Sequence, residues 1–259
     1  EAFCRELLTG MGFSFVRGRA DRSTHPFTTM IGEDDVRLTL RFQPDNPLSA
    51  IFAALHEGGH ALYDQGFPAT LHDTLLAEAP STGLHEAQAR LWENHVGRSA
   101  AFWSHHLPRL QSRFPAALAA LDVARFQRAV NVVQPTLIRA EADEVTYNLH
   151  ILMRYELETA LLSGDLPVHD LPSAWNESSR KWLGIVPAKV NDGCLQDVHW
   201  AGASLGYFPT YTIGNLYAAQ LAETYAARAD LDAELASGNL RPLRDWLADH
   251  VYRWGCRLE

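Results

Sequence analysis

Cysteine, basic charge and long apolar runs are all scarce in this sequence of 259 residues. Its three cysteines, Cys4, Cys194 and Cys256, lie far apart and form no Cys-x-x-Cys pair. That argues against a disulfide framework and against an all-thiolate zinc site, and reduced thiols in a cytoplasm are the simplest reading. Lys and Arg number 22 against 31 Asp and Glu, a formal charge of −9. Binding to nucleic-acid phosphates or to anionic lipid calls for clustered cations, so neither nucleic acid nor a membrane surface is expected as a partner. No stretch reaches the roughly 18 apolar residues of a membrane span. Internal repeats and low-complexity linkers are absent too. Residue 1 is Glu rather than Met, which leaves room for a segment upstream.

What is present is histidine, 12 of them, in a chain that is 47% hydrophobic. Histidine is the commonest metal ligand and the usual proton shuttle. The periodicity is mainly helical: residues 1–11, 49–65, 83–103, 137–162, 170–184, 213–228 and 240–254 read as helices, with one or two short ones in 114–130. Thr28 to Ile31 and Val36 to Phe42 flank Gly32-Glu33-Asp34-Asp35, and the second run alternates apolar and polar residues as a half-buried hairpin does. Residues 187–212, with Pro187, Gly193, Gly202, Gly206 and Pro209, read as irregular. The expectation is a mainly α fold with one small β-hairpin, organised as a single domain over 1–259.

The strongest chemical signal is His56-Glu57-Gly58-Gly59-His60. Residues four apart share a helix face, so His56 and His60 can chelate one Zn²⁺, with Glu57 placed to take a proton from water at the open position. A surface helix that merely holds two histidines is the ordinary alternative. Against it, each glycine costs about 1 kcal/mol relative to Ala inside a helix, and the preceding Ala50 to Leu55 reads as buried. Adjacent glycines there point to a close approach by a neighbouring helix or a substrate chain. For the third protein ligand, Glu86 stands out at the start of the next helix, with Glu78, His85 and Glu93 as rivals; an acidic residue in a first turn also complements the helix dipole.

Gly202-Ala203-Ser204-Leu205-Gly206 matches the serine-hydrolase elbow, and Asp232 and His250 follow in the required order. The elbow needs a strand before it and a helix after it. No strand series exists here, and Tyr207-Phe208-Pro209 reads as a poor helix start, so a metal hydrolase is preferred.

His25-Pro26-Phe27, Asp35-Val36-Arg37-Leu38-Thr39, the His56–His60 block, His85-Glu86-Ala87-Gln88, Ile138-Arg139-Ala140-Glu141-Ala142-Asp143 and Gly193-Cys194-Leu195-Gln196-Asp197-Val198-His199-Trp200 stand in one order along nearly the whole chain. In this the sequence resembles the M32 metallocarboxypeptidases, the carboxypeptidase Taq family. The resemblance implies a helical zinc-peptidase core with the hairpin beside the active site. It also implies release of single C-terminal residues from peptides with broad preference, by an enzyme using Zn²⁺ or alternatively Co²⁺. Glu86 becomes the implied third ligand and Arg139 the implied holder of the substrate's C-terminal carboxylate. Without the family, Arg139 would be read as an i, i+4 partner of Asp143 on a helix face, an interaction of about 0.2–0.5 kcal/mol. His199 and Tyr211 are read as oxyanion donors, Tyr207 as a rival to Tyr211 that lines the substrate site, and Asp197 as orienting a histidine. Asp35, Arg37 and Thr39 are read as shaping the cleft edge. Gly58 stands where the family usually carries a larger apolar residue, which is expected to open space beside the metal. Family members are roughly twice this long, so the chain is read as the equivalent of their C-terminal half, without most of the N-terminal helical half. A homodimer stands beside a monomer as an open alternative. A second reading in the same chemical class is an endopeptidase or dipeptidase on the same zinc site, and a third, from a different class, is a non-catalytic metal-binding or interaction module.

Overall fold

The computed structural model describes residues 1–258. They form two compact units, residues 1–127 with 214 onward, and residues 128–213. The fold is mainly α, as expected, with one small sheet. No helix among the described residues is long and apolar enough to cross a membrane.

In the first unit, α1 (Ala2–Met11) buries Phe3, Cys4, Leu7, Leu8 and Met11 at helical spacing. The hairpin forms as β2 (Phe27–Gly32) and β3 (Asp35–Leu40), paired antiparallel with Thr28 opposite Leu38 and Met30 opposite Val36. A further strand, β1 (Gly18–Arg22), runs parallel to β3 on its other side. Its sequence Gly-Arg-Ala-Asp-Arg has no apolar alternation, because an edge strand need not bury a face, and periodicity therefore misses it. Helix α2 (Pro47–Gln65) starts under an Asn46 cap whose Oδ1 accepts from Ser49 N at 3.3 Å, with Pro47 in the first turn. It is buried along most of its length.

The expected continuous helix over 83–103 is instead α3 (Thr82–Arg90), a π-helical stretch Leu91–Val96, and α4 (Ala100–Arg113). Ser99 caps the second segment through Phe102 N, and Trp103 Nε1 donates to the Gly97 carbonyl at 2.7 Å, which fixes the corner. The short helices α5 (Pro115–Leu118) and α6 (Val123–Val130) follow.

In the second unit the helix expected from Leu137 begins later. Arg139–Glu141 is a 3₁₀ turn, and α7 (Glu144–Ser163) starts behind Asp143. Asp143 Oδ1 accepts from Val145 N and Thr146 N at 2.9 and 3.0 Å, so it is a cap and not a partner of Arg139. With α8 (Leu171–Leu183), α7 packs Met153, Leu157, Trp175 and Cys194 into one cluster, and Tyr147, Ile151 and Phe208 into another. Residues 184–208 are largely irregular, as expected. Pro209 nevertheless opens α9 (Pro209–Ala226), because a proline in a first turn forfeits no hydrogen bond. The first unit ends with α10 (Leu231–Ser237), which the sequence reading missed, and α11 (Arg241–His250).

Candidate metal centre and guanidinium cluster

In the first unit, successive turns of α2 bring His56 and His60 together, their rings crossing at 4.9 Å. Glu86 enters from α3, with Oε2 3.9 Å from His56 Nε2 and 3.6 Å from His60 Nε2. One ligand atom from each of the three lies within 4.8 Å of the others, the one such His/Cys/Asp/Glu group among the described residues. Bonds of 2.0–2.1 Å to a tetrahedral ion would separate ligand atoms by about 3.3 Å, so the group fits a divalent ion after a slight contraction.

Each of these three side chains is held from behind. His56 Nδ1 lies 2.8 Å from Glu93 Oε2. His60 Nδ1 lies 2.6 Å from His85 Nδ1, and His85 Nε2 lies 2.9 Å from Asp64 Oδ1. These partners assign the protons. A carboxylate only accepts, so His85 carries its hydrogen on Nε2, its bare Nδ1 accepts from His60, and His60 is left with a bare Nε2. The Glu93 carboxylate likewise fixes a proton on His56 Nδ1, so that Nε2 is the atom facing Glu86. Arg90 Nε donates to Glu86 Oε1 at 2.8 Å, leaving Oε2 for the shared centre, and Arg90 Nη1 reaches Glu93 Oε2 at 3.1 Å. Glu93 and His85, weighed as third ligands, thus stand behind the ligands, and Glu78 is exposed in the loop before α3.

Electrostatics separates the two histidines, favouring a second proton on His56 and none on His60. Burial pulls His56 down, but Glu86 and Glu93 outweigh it and push it up to about 9. Burial resists ionisation of Glu93, yet Arg90 and His56 hold it at about 2. Burial, with His85 and His56 nearby, keeps His60 well below the usual range. Glu57 is raised by burial, against the pull of His56 and a hydrogen bond from Thr28. That hydroxyl, on β2, donates to Glu57 Oε2 at 2.7 Å. The hairpin therefore touches the candidate base.

Both motif glycines mark close approaches. A Cβ on Gly59 would stand 2.6 Å from the Gln88 carbonyl oxygen and 2.7 Å from Ala89 Cα of α3. On Gly58 it would stand 2.8 Å from Met11 Cε and 2.9 Å from Leu8 Cδ2. The space expected beside the metal is filled by α1. Asp35 and Arg37 form an exposed ion pair, while Thr39 is buried and bonded to Ser23 Oγ at 2.6 Å.

The second unit gathers Arg139, His199, Tyr207 and Tyr211. Asp197 Oδ1 accepts from Arg139 Nε and Nη2 at 2.9 and 2.8 Å, Tyr147 Oη accepts from Nη1 at 2.8 Å, and the guanidinium lies 4.6 Å from the Tyr211 ring centre. The other Asp197 oxygen accepts from Arg154 Nε at 2.6 Å. Burial opposes ionisation of Asp197, but Arg139 and Arg154 keep it below the usual carboxylate range. His199 Nε2 lies 2.9 Å from Tyr211 Oη, and its ring packs 5.2 Å from Tyr207. Burial and Arg139 hold this imidazole low, hence neutral near pH 7. The expected pairing of Asp197 with His199 does not form: Nδ1 is 3.9 Å from Oδ1, beyond hydrogen-bond range.

Arg154, Tyr147 and Glu158 were not singled out in sequence. Glu158 is buried and accepts from Trp200 Nε1 and Gly206 N, both at 2.6 Å, tying the 200–206 loop to α7. The available signal was a pair of charges, Arg154 and Glu158, inside the apolar run of α7. Ser204 sits among turns, with no strand before it, so no hydrolase elbow forms.

A two-histidine, one-glutamate cluster on a helical scaffold with a carboxylate beside it defines the metallopeptidase class. The profile of the carboxypeptidase Taq (M32) metallopeptidase family matches residues 1–259, and the chain belongs to that family. It is 49% identical over 256 residues to thermostable carboxypeptidase 1 of Thermus thermophilus and 41% identical over 252 residues to carboxypeptidase 1 of Bacillus subtilis. These alignments cover 98% and 97% of this chain and 50% of each relative, so the chain spans about half the length of the curated relatives it matches. The crystal structure of an M32 carboxypeptidase from Deinococcus radiodurans superposes with a TM-score of 0.95 at 44% identity, over 99% of this chain and 52% of that one.

Proposed function

We propose that this chain is a zinc-dependent carboxypeptidase, with cobalt as the alternative ion, releasing single C-terminal amino acids from peptides with broad preference. The observation that carries this reading is the His56, His60 and Glu86 cluster, in which two imidazole Nε2 atoms and one carboxylate oxygen converge while Glu93, His85 and Arg90 hold them from behind. The chemistry an ion supplies there is Lewis acidity, which polarises a peptide carbonyl and acidifies water. The chain's own residues do the rest. Glu57, tied by Thr28 through Oε2, keeps Oε1 to take a proton from the attacking water and pass it to the leaving amine. Arg139 binds the free C-terminal carboxylate, since a guanidinium matches it bidentately. His199 and Tyr211 donate to the developing oxyanion, and Tyr207 lines the substrate site. On this reading residues 1–259 are a single catalytic domain.

The test pairs Glu57→Gln with free and C-terminally amidated versions of one peptide. Metal content should be unchanged in the variant while hydrolysis falls about 10²–10⁴-fold. The unaltered chain should release amino acids from the free peptide only. Equal cleavage of the amidated peptide would replace the reading with an endopeptidase on the same site. Metal binding without any hydrolysis by the unaltered chain would replace it with a non-catalytic module.

A further inference from the structure

Arg139 can serve as a carboxylate clamp only if something aims it, and the buried ions of the second unit show what does. Asp197 Oδ1 holds the flank of the guanidinium through Nε and Nη2. Nη1 gives one hydrogen to Tyr147 Oη, and its other N–H with the second N–H of Nη2 makes the pair left for a carboxylate. Asp197 is itself braced. Its Oδ2 takes the Arg154 Nε hydrogen bond, and Arg154, fully buried, is fixed in turn by the His150 carbonyl at 3.0 Å. The preceding residue does the matching job on the main chain: Gln196 Oε1 accepts from Arg139 N at 2.8 Å, and its Nε2 donates to the Leu137 carbonyl at 2.9 Å. Asp197 thus carries two guanidiniums, while Glu158, buried on the same helix as Arg154, is spent on Trp200 and Gly206.

We infer that Asp197, braced by Arg154, is the positioning residue that turns Arg139 end-on toward the substrate's free C-terminal carboxylate and so sets the preference for unblocked peptides. This rests on the carboxypeptidase reading above. It also separates two uses of Asp197, since at 3.9 Å the carboxylate is too far to orient His199.

The experiment measures kcat and KM for free and amidated forms of one peptide in the unaltered chain, Asp197→Asn, Asp197→Glu and Arg154→Lys, with metal content and thermal unfolding as controls. Asp197→Asn should raise KM for the free peptide about 10- to 100-fold, the range for losing a hydrogen bond to a charged group, with a much smaller change in kcat. Asp197→Glu should recover part of that KM. Arg154→Lys keeps the buried charge and should move KM the same way by a smaller factor, which decides the matter if Asp197→Asn does not fold. A merely structural role would lower the amount of active enzyme and leave KM alone. Unchanged KM in the folded variants overturns the inference. Equal cleavage of free and amidated peptides by the unaltered chain instead sinks the carboxypeptidase reading and this inference with it.

Discussion

The two units bury charge to opposite ends. In the first, Glu57, Glu86 and Glu93 crowd around His56 and His60, with Arg90 set between two of the carboxylates and Arg98 3.9 Å from Glu93. In the second, Arg139 and Arg154 crowd around Asp197, with Glu158 buried one helical turn beyond Arg154. On the proposed reading one takes a cation and the other an anion. What they share is that each key polar atom has a second group fixing its direction, and buried polar groups persist only when satisfied in this way. The difference lies in backbone. The cation centre stands on two regular helices, whereas the anion centre is assembled from a 3₁₀ turn, a helix and an irregular loop.

That contrast is sharpened first by acid. Burial, with Arg154 and Arg139 nearby, pulls His150 down to about 4, against smaller opposing effects of the Thr136 main chain and Asp197. Between the ordinary value of 6.5 and about 4 the unfolded chain binds a proton there that the folded chain does not. Stability is therefore present above pH 6.5 and lost as pH falls toward 4, by about 3 kcal/mol from this residue. Asp197, depressed by its arginines, adds loss of the same sign at still lower pH. Urea unfolding followed across pH 4–7 checks this, and His150→Gln should flatten the dependence. A profile as steep in that variant would remove His150 as its source.

A smaller effect is expected at the other centre. His85→Gln interrupts the path from Asp64 to His60 while leaving every proposed ligand in place. Metal affinity, measured by chelator competition, should weaken about 10- to 100-fold, the usual consequence of losing a group that orients a ligand. The same substitution should leave KM for a saturably metallated chain close to unchanged. An unaltered affinity would mean that the His60 ring is oriented by packing alone.

How much of this was legible depended on distance along the chain. His56 and His60 are one helical turn apart, so helical periodicity alone puts them on one face. Glu86 lies on a second helix whose rotation about its axis no spacing rule supplies, which is why Glu78, His85 and Glu93 competed with it until the family resemblance intervened. The break at Gly97 was hidden because Ser99 caps a helix inside a run that is apolar on both sides. Arg139 was placed on a helix because the apolar stretch at 137–138 masked Asp143 as a cap. Its true partner, Asp197, is 58 residues away in backbone with no period to read. Gly58 and Gly59 were correctly taken as signs of close approach, although α1, and not an open space, faces Gly58.

The contact at Gly59 has a consequence for which ions the site admits. There α2 and α3 meet main chain to main chain, the contact lying one residue from His60 on α2 and, at Gln88, two residues from Glu86 on α3. The spacing between those ligands is therefore set by two touching backbones, which cannot change rotamer as side chains do. A flexible oxygen cage expands around a large ion such as Ca²⁺, with bonds of about 2.3–2.6 Å. Here the ligand side chains can still close slightly around a small ion, and two imidazole nitrogens are poor donors to a large hard one. Calcium in excess should accordingly fail to displace zinc from the unaltered chain, and lose less ground after Gly59→Ala has pushed the helices apart.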